Sequence, residues 1–387
     1  MPGSSRKTVA VIFGTRPDTI KLAPVIIRLR AEEKFFRVVT IATAQHRQML
    51  DQVLDVFKIV PDHDLNIMRP RQTLAEITKN TIEALDHVLG EVRPDMVLVQ
   101  GDTTTTFVGS LAAFYRQIPV GHVEAGLRTH DKANPFPEEI NRRLTSAIAD
   151  LHFAPTQTAR KALLKENHPR RTVFVTGNTV IDALKVSVRK GHRFSVPHLN
   201  DLFARKRRVV LITMHRRENW GEPMAAAARA IRRIAERYTD HLILFPVHLN
   251  PVVRETVYPI LGDLANVALT EPLDYLDFVN AMARSYLVIT DSGGVQEEGP
   301  SLAKPILVLR EVTERPEAVA YGTVRLVGLD ETRILASARK LLDDRRAYQA
   351  MASATNPYGD GNAARRTVGI IKHYFGFSKH LPAEFVP

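Results

Sequence analysis

Short apolar runs alternate with stretches whose apolar residues recur every three or four positions, from one end of the chain to the other. That alternation predicts parallel strands covered by helices, an α/β chain. In the first half, strands are expected at 8–14, 37–43, 95–101, 120–124 and 151–154, with a further one at 172–176. Helix patterns fall between them, at 17–33, where a proline stands early as helix starts allow, and at 74–92. From about 187 to 206 the pattern breaks, and Gly191-His-Arg-Phe-Ser-Val-Pro197 reads as a linker or irregular crossover. The alternation then restarts, with strands at 209–213, 242–246, 267–269, 286–290, 306–309 and 324–327 and helices at 223–238 and 273–284. Two doubly wound domains of similar size are expected, 1–190 and 191–361, with ligand beyond the carboxyl ends of the strands.

A chain of 387 residues is comfortable for two such domains, and its 44% hydrophobic and 25% charged residues are those of a soluble globular protein. Three further features point to the cytoplasm. No apolar run reaches transmembrane length, the start from Met1 to Lys7 is short and polar, and cysteine is absent. Absence of cysteine also removes disulfides, thiolate metal sites and a thiol nucleophile. The net charge of +11 invites a nucleic-acid reading, which the distribution argues against. Basic residues are scattered among acidic ones, and the one tight cluster, Arg205 to Arg208, precedes an apolar run without interleaved aromatic platforms. A diffuse positive field suits a small anionic substrate instead.

Four segments carry candidate chemistry. Gly14-Thr-Arg-Pro-Asp18 follows the first strand, where glycine permits a tight turn, the next helix favours an anion and Arg16 can fork onto a phosphate. No GxGxxG occurs in the chain, so a dinucleotide site is not supported. In Asp291-Ser-Gly-Gly-Val-Gln-Glu-Glu298, the residues Ser292, Gly293 and Gly294 let backbone N–H groups approach an anion, and Glu298 can accept from vicinal hydroxyls. Asp102 and Glu124 stand at strand ends and Glu138 at a helix start, three acids suited to acid–base work if they converge. Read separately, Asp102 is also a plain helix cap and Glu138 a plain dipole partner. Thr213-Met-His-Arg-Arg-Glu-Asn219 puts His215 after the first strand of the second half, placed to touch a phosphate or relay a proton.

Taken in order, Gly14-Thr-Arg-Pro, Gly101-Asp-Thr, His122-Val-Glu-Ala-Gly-Leu-Arg-Thr129, Pro137-Glu-Glu-Ile-Asn-Arg142, His215-Arg-Arg-Glu-Asn219, Asp291 to Glu298 and Thr313-Glu-Arg-Pro-Glu317 resemble the non-hydrolysing UDP-N-acetylglucosamine 2-epimerases. The resemblance spans nearly the whole chain. It implies a GT-B-type fold, two Rossmann-like domains facing across a cleft, with a C-terminal helix at 362–374 within a stretch, 362–387, that returns to the first domain. The implied reaction interconverts UDP-GlcNAc and UDP-ManNAc at C2, by elimination of UDP to a 2-acetamidoglucal and re-addition, without cofactor or metal. By position, Asp102, Glu124 and Glu138 match the family's acid–base carboxylates and His215 its catalytic histidine. Arg16, Lys21, Ser292, Gly293, Gly294, Glu298 and Arg315 match residues around UDP and the sugar. The chain departs from the family at Asp18, where glutamate is usual; if that position only caps the helix, aspartate serves as well.

Bacterial members bind a second UDP-GlcNAc as activator, and Gln45, His46, Gln48, Met49, Arg71 and His248 match the positions used, with Arg216 in the same region. A homodimer is expected, with no nucleic-acid or membrane partner. The alternatives left open are a hydrolysing 2-epimerase, a GT-B glycosyltransferase and a non-catalytic UDP-sugar sensor. Asp62-His-Asp64 faintly resembles a metal-binding DxD and is read as solvated loop.

Overall fold

The computed structural model of the chain describes residues 6–43, 47–67, 69 and 71–387, and of residues 47–49 the backbone only. The chain forms two compact units, residues 1–185 with 358–387 and residues 186–357. The first unit holds a seven-stranded sheet of β1 (Lys7–Phe13), β2 (Phe36–Ala42), β3 (His63–Asp64), β4 (Met96–Gln100), β5 (Val120–Val123), β6 (Leu151–Ala154) and β7 (Val173–Val175), in the order β3-β2-β1-β4-β5-β6-β7. The second holds β8 (Val209–Thr213), β9 (Leu242–Pro246), β10 (Val267–Thr270), β11 (Leu287–Thr290), β12 (Ile306–Val308) and β13 (Val324–Leu326), ordered β10-β9-β8-β11-β12-β13. Every pairing in both sheets is parallel. These are two Rossmann-like doubly wound α/β units. The strands read as continuous apolar runs because helices cover both faces; β4 and β11 are buried at every position.

In each sheet the strand order reverses once, between β1 and β4 and between β8 and β11. At such a point the two neighbouring crossovers leave to opposite faces, and the loops after the strands open a crevice. Gly14 and Asp102 therefore stand at the first reversal, and His215 and Asp291 at the second.

Three sequence expectations change. The Asp62-His-Asp64 stretch is an edge strand rather than a loop, because Asp62 Oδ2 accepts from both the backbone N–H and the hydroxyl of Thr40 at 2.7 Å and draws the segment onto β2. The break at 187–206 contains a helix, Pro197–Ala204. It is held where Phe194 stacks on Phe203, 4.7 Å between centroids, and where Asp277 accepts from Ser195 N–H and hydroxyl, contacts that no local periodicity announces. The first helix ends at Arg30, short of residue 33.

The C-terminal segment completes the first unit. Its helix Ala363–Tyr374 packs on the helix Arg16–Arg30, with Lys372 paired to Glu32 at 2.8 Å. Asp182 caps it from the helix Thr179–Ser187, accepting from the N–H groups of Ala363 and Ala364 at 3.1 and 2.9 Å. Burial, opposed by those two bonds, pushes the Asp182 carboxyl up to about 6. Beyond the helix, Phe385 is buried and donates its N–H to Val175 O at 2.8 Å, while Glu384 pairs with Arg160 at 2.6 Å. Among the described residues no helix is long and apolar enough to cross a membrane.

Candidate active site

In the first unit the turn after β1 is closed by sterics. A Cβ on Gly14 would stand 2.5 Å from Thr105 Oγ1 and closer still to Thr43 Oγ1, two hydroxyls that bond each other at 3.0 Å. Asp18 then settles the turn: its carboxylate accepts from Gly14 N–H (3.0 Å), Thr15 N–H (2.7 Å), Thr15 hydroxyl (2.7 Å) and Thr19 N–H (3.0 Å). The shorter aspartate arm is thus used on the capping box of the helix. Burial pushes this carboxyl up to about 6 against all four hydrogen bonds. Arg16, at the first helical position, has no ion-pair partner among the described residues.

The three candidate carboxylates share one connected region. Glu124, directly after β5, is buried with φ at 63°, a left-handed conformation uncommon for glutamate and a mark of a constrained site. Its Oε2 accepts from Lys21 Nζ at 2.5 Å and Asn178 Nδ2 at 2.8 Å. Asp102, after β4, pairs through Oδ2 with Arg142 Nη2 at 2.6 Å, and its carbonyl accepts from Asn141 Nδ2 at 2.9 Å. It is not the helix cap; Thr103 takes that place, accepting from Thr106 N–H. Glu138 opens the helix Glu138–Ile148, after the cis bonds Asn134–Pro135 and Phe136–Pro137. Its Oε2 is buried and has no hydrogen-bond partner among the described residues. A buried carboxylate oxygen is normally satisfied, so this one has capacity left for a further donor.

Two neighbours bind the region together. His122 donates from Nε2 to Gly101 O at 2.8 Å, and Gly101 N–H donates to Val123 O at 2.9 Å, joining the β4 and β5 ends. Burial holds the His122 ring far below the usual histidine value, at about 3, so it serves as a neutral donor. Glu139, only 1% exposed, accepts from the N–H groups of Thr129 and His130 at 3.0 and 3.1 Å and from Arg142 Nη1 at 3.3 Å.

The second unit presents cations and open backbone donors. Ser292 precedes the helix Gly293–Ser301 and makes no side-chain cap bond, so the first N–H groups of that helix are not capped by it. A Cβ on Gly293 would lie 3.3 Å from Arg315 Nη1 and 3.7 Å from Arg216 Nη2, so two guanidinium groups flank the helix start. Arg315 is aimed by Glu297, whose Oε1 takes its Nε at 2.8 Å, and Arg216 by Asp291 O at 3.0 Å. Positive helix pole, glycine backbone and paired arginines make an anion cradle. Glu298 lies a turn along the same helix and is buried.

His215 stands over this cradle's base. Its Nδ1 is 3.1 Å from Asp291 Oδ1, while Asp291 Oδ2 accepts from the N–H groups of His215 and Arg216, both at 2.8 Å, and from Asn219 Nδ2 at 3.1 Å. Burial pushes Asp291 upward, but the His215 ring and those N–H groups outweigh it and hold the carboxyl below its usual value. An aspartate 3.1 Å from Nδ1 leaves Nε2 on the other side of an imidazole whose side chain is 42% exposed. His248 stacks beside it, 5.9 Å between centroids, and partial desolvation and then the His215 charge lower its proton affinity.

The remaining second-ligand candidates divide. Arg216 joins the cradle and His248 joins His215, whereas Arg71 is exposed in a left-handed turn, φ 60°. Gln45 and His46 lie outside the described residues, and of Gln48 and Met49 only the helical backbone is described. Of the positions not singled out from sequence, Arg142, Asp291 and Asn178 each contact a residue that was, and Glu139 holds Arg142. Arg142, Glu139 and Asp291 lay inside the quoted motifs, so a charge close to one of opposite sign was the available signal. Among the described residues no group of three or more His, Asp or Glu side chains is arranged to hold a metal ion.

Comparison with known proteins agrees with the two-sheet α/β fold. Residues 28–372 match the UDP-N-acetylglucosamine 2-epimerase family. The chain is 56% identical over 377 residues to a UDP-N-acetylglucosamine 2-epimerase of Bacillus subtilis, covering 97% of this chain and 98% of that one. A 2.2 Å crystal structure of a Listeria monocytogenes protein given the same name superposes with a TM-score of 0.93 at 47% identity, over 99% of this chain and all (100%) of that one. The Neisseria meningitidis UDP-GlcNAc 2-epimerase, solved bound to UDP-GlcNAc, gives 0.85 at 49% identity over 95% and 100%. A two-unit parallel α/β chain matched over this length and at this identity is a member of the UDP-N-acetylglucosamine 2-epimerase family.

Proposed function

We propose that the chain interconverts UDP-GlcNAc and UDP-ManNAc without hydrolysing them and without a cofactor. A carboxylate removes the proton at C2 as the C1–O bond breaks, giving 2-acetamidoglucal and UDP. A protonated group then returns a proton to the opposite face of C2 while the diphosphate oxygen rebonds to C1. Carbon, proton and leaving group balance within the pair, so no oxidant is needed. The observation that carries this reading is the first-unit cluster: Asp102 and Glu124 each paired to a cation, and Glu138 with a buried oxygen that has no hydrogen-bond partner among the described residues. Differing environments are what separate a base from an acid.

Departure of UDP needs charge stabilisation placed in advance, and the Ser292–Gly294 turn with Arg216 and Arg315 supplies it. Arg16 and Lys21 add cations, Glu298 receives the ribose hydroxyls, and His215 with Asp291 handles a proton or a phosphate oxygen. Arg216 and His248, with Gln45, His46, Gln48, Met49 and Arg71, form the proposed seat of an activating second UDP-GlcNAc. The working form is proposed to be a cytoplasmic homodimer.

Proton NMR of the enzyme with UDP-GlcNAc in D₂O tests the reading. UDP-ManNAc carrying deuterium at C2 is expected. Free ManNAc with UDP makes the enzyme a hydrolysing 2-epimerase. Saturable binding without turnover leaves a transferase or a sensor.

A further inference from the structure

The hydrogen-bond pattern around Glu124 points to a residue that none of the motifs contains. Asn178 is 2% exposed and stands between β7 and the helix Thr179–Ser187. Its amide orientation is decided by its partners. Oδ1 accepts from Val180 N–H at 3.0 Å, at the start of that helix, so Nδ2 must face the other way, and there it donates to Glu124 Oε2 at 2.8 Å. Its backbone N–H donates to Tyr358 O at 2.6 Å, where the chain re-enters the first unit.

The surroundings leave Asn178 little freedom. Its neighbour Gly177 has φ 83°, and a Cβ there would meet Gly359 Cα at 3.4 Å and Phe385 Cγ and Tyr358 O at 3.5 Å. On the other side, a Cβ on Gly359 would lie 3.4 Å from Asn178 O and 3.2 Å from Ile181 Cγ1. The position is gripped by three separate stretches of chain: the helix it opens, the returning segment and the C-terminal tail.

Lys21 cannot do the same work. An ammonium is a point charge on a long stem and attracts a carboxylate without fixing its plane. A planar amide held at both ends defines a direction. Because Lys21 and Asn178 both address Oε2, the other oxygen, Oε1, is turned toward Gly101, 3.8 Å from where a Cβ would stand. That is the end of β4 where Asp102 follows.

We propose that Asn178 is a positioning residue for Glu124: locked by Val180 and by Tyr358, its amide sets the rotation of the Glu124 carboxylate and so the placement of the oxygen that exchanges a proton with substrate. The proposal rests on the reading of Glu124 as a proton-transfer group.

Three variants separate the possibilities, assayed by steady-state kinetics with UDP-GlcNAc across a pH series, with thermal unfolding in parallel. Asn178→Ala is expected to lower kcat about 10²-fold with KM within about threefold, since misplacing a reacting group by an ångström costs that much. Asn178→Asp keeps the acceptor for Val180 and the side-chain shape but loses the donor. With Lys21 and Glu124 the charged groups set against it, it is expected to be as slow as Asn178→Ala at high pH and to recover as pH falls, when a proton shared with Glu124 restores the bond. Losses in both variants that are independent of pH and follow the melting temperature would overturn the proposal. Glu124→Gln is the control. If it turns over normally, the proton-transfer reading of Glu124 is wrong; if it is slow while both Asn178 variants keep full kcat, only the positioning role is wrong.

Discussion

Arg142 holds Asp102 at 2.6 Å with one guanidinium nitrogen while the other reaches Glu139 at 3.3 Å. One carboxylate of the pair is buried and anchors the 129–130 backbone; the other stands at the end of β4 with its side chain a quarter exposed. The fork thus transmits the rigidity of a buried anion to the carboxylate proposed to meet substrate. Asp102→Asn is expected to lower kcat by roughly 10²–10⁴ as a lost general acid or base. Arg142→Met should cost about 10² through misplacement, and Arg142→Lys should recover little, because an ammonium cannot span two carboxylates in a fixed plane. Steady-state kcat and KM for the three variants decide it; unchanged kcat in Arg142→Met removes the coupling.

Gly293 sits where two arginines converge. Alanine there would crowd the Arg315 guanidinium at 3.3 Å, the far end of a flexible side chain, so the fold should survive with a melting temperature within about 2 °C. The displaced guanidinium should weaken UDP binding about tenfold, or about 1.4 kcal/mol. Calorimetric titration with UDP measures it, and unaltered affinity would take Arg315 out of the diphosphate site.

Stability should carry the mark of Asp182. Its carboxyl stands at about 6 when folded against 3.8 when unfolded, so the native state holds the extra proton between those values. Stabilisation from this group is complete below the lower value and is lost as pH rises through the upper one, to a total of about 3 kcal/mol. Asparagine does not titrate and can accept from only one of the two N–H groups. Urea midpoints should therefore show the natural protein losing stability relative to Asp182→Asn as pH rises from about 4 to about 7. Parallel curves would place the titration elsewhere.

The proposed activation has a direct kinetic signature. With UDP-ManNAc as sole substrate the initial rate should be low and should rise when a small amount of UDP-GlcNAc is added. His248→Ala should blunt the rise more than the basal rate. Equal rates with and without UDP-GlcNAc would end the proposal of a second site.

Much of this was legible in the sequence because each piece was local. Apolar runs mark β4 and β11, a glycine after β1 marks the tight turn, and Ser292-Gly-Gly marks the uncapped helix start. What escaped was decided by contacts distant along the chain. β3 exists because Asp62 reaches Thr40, and the helix Pro197–Ala204 because Phe203 finds Phe194 and Asp277 finds Ser195. The same holds in the site. Asp102, Glu124 and His215 announce themselves as ionisable groups at strand ends, whereas Asn178 also follows a strand but is uncharged, and its partner Glu124 lies 54 positions away. Asp18 was ambiguous for the opposite reason, since a cap and a substrate contact share one spacing; four donors converging on its carboxylate decide for the cap.

The first unit is assembled from residues 1–185 and 358–387, so its last pieces, the Asp182-capped helix and the strand-edge contact of Phe385, emerge from the ribosome only after the entire second unit. The second unit is continuous and is free to fold while synthesis proceeds. The first must wait with the edge of β7 uncovered and Asn178 lacking the carbonyl of Tyr358. Birth order along the chain therefore leaves the surroundings of Asn178 to be completed last, and a nascent chain stalled before residue 358 carries a complete second unit and a first unit still lacking its closing contacts.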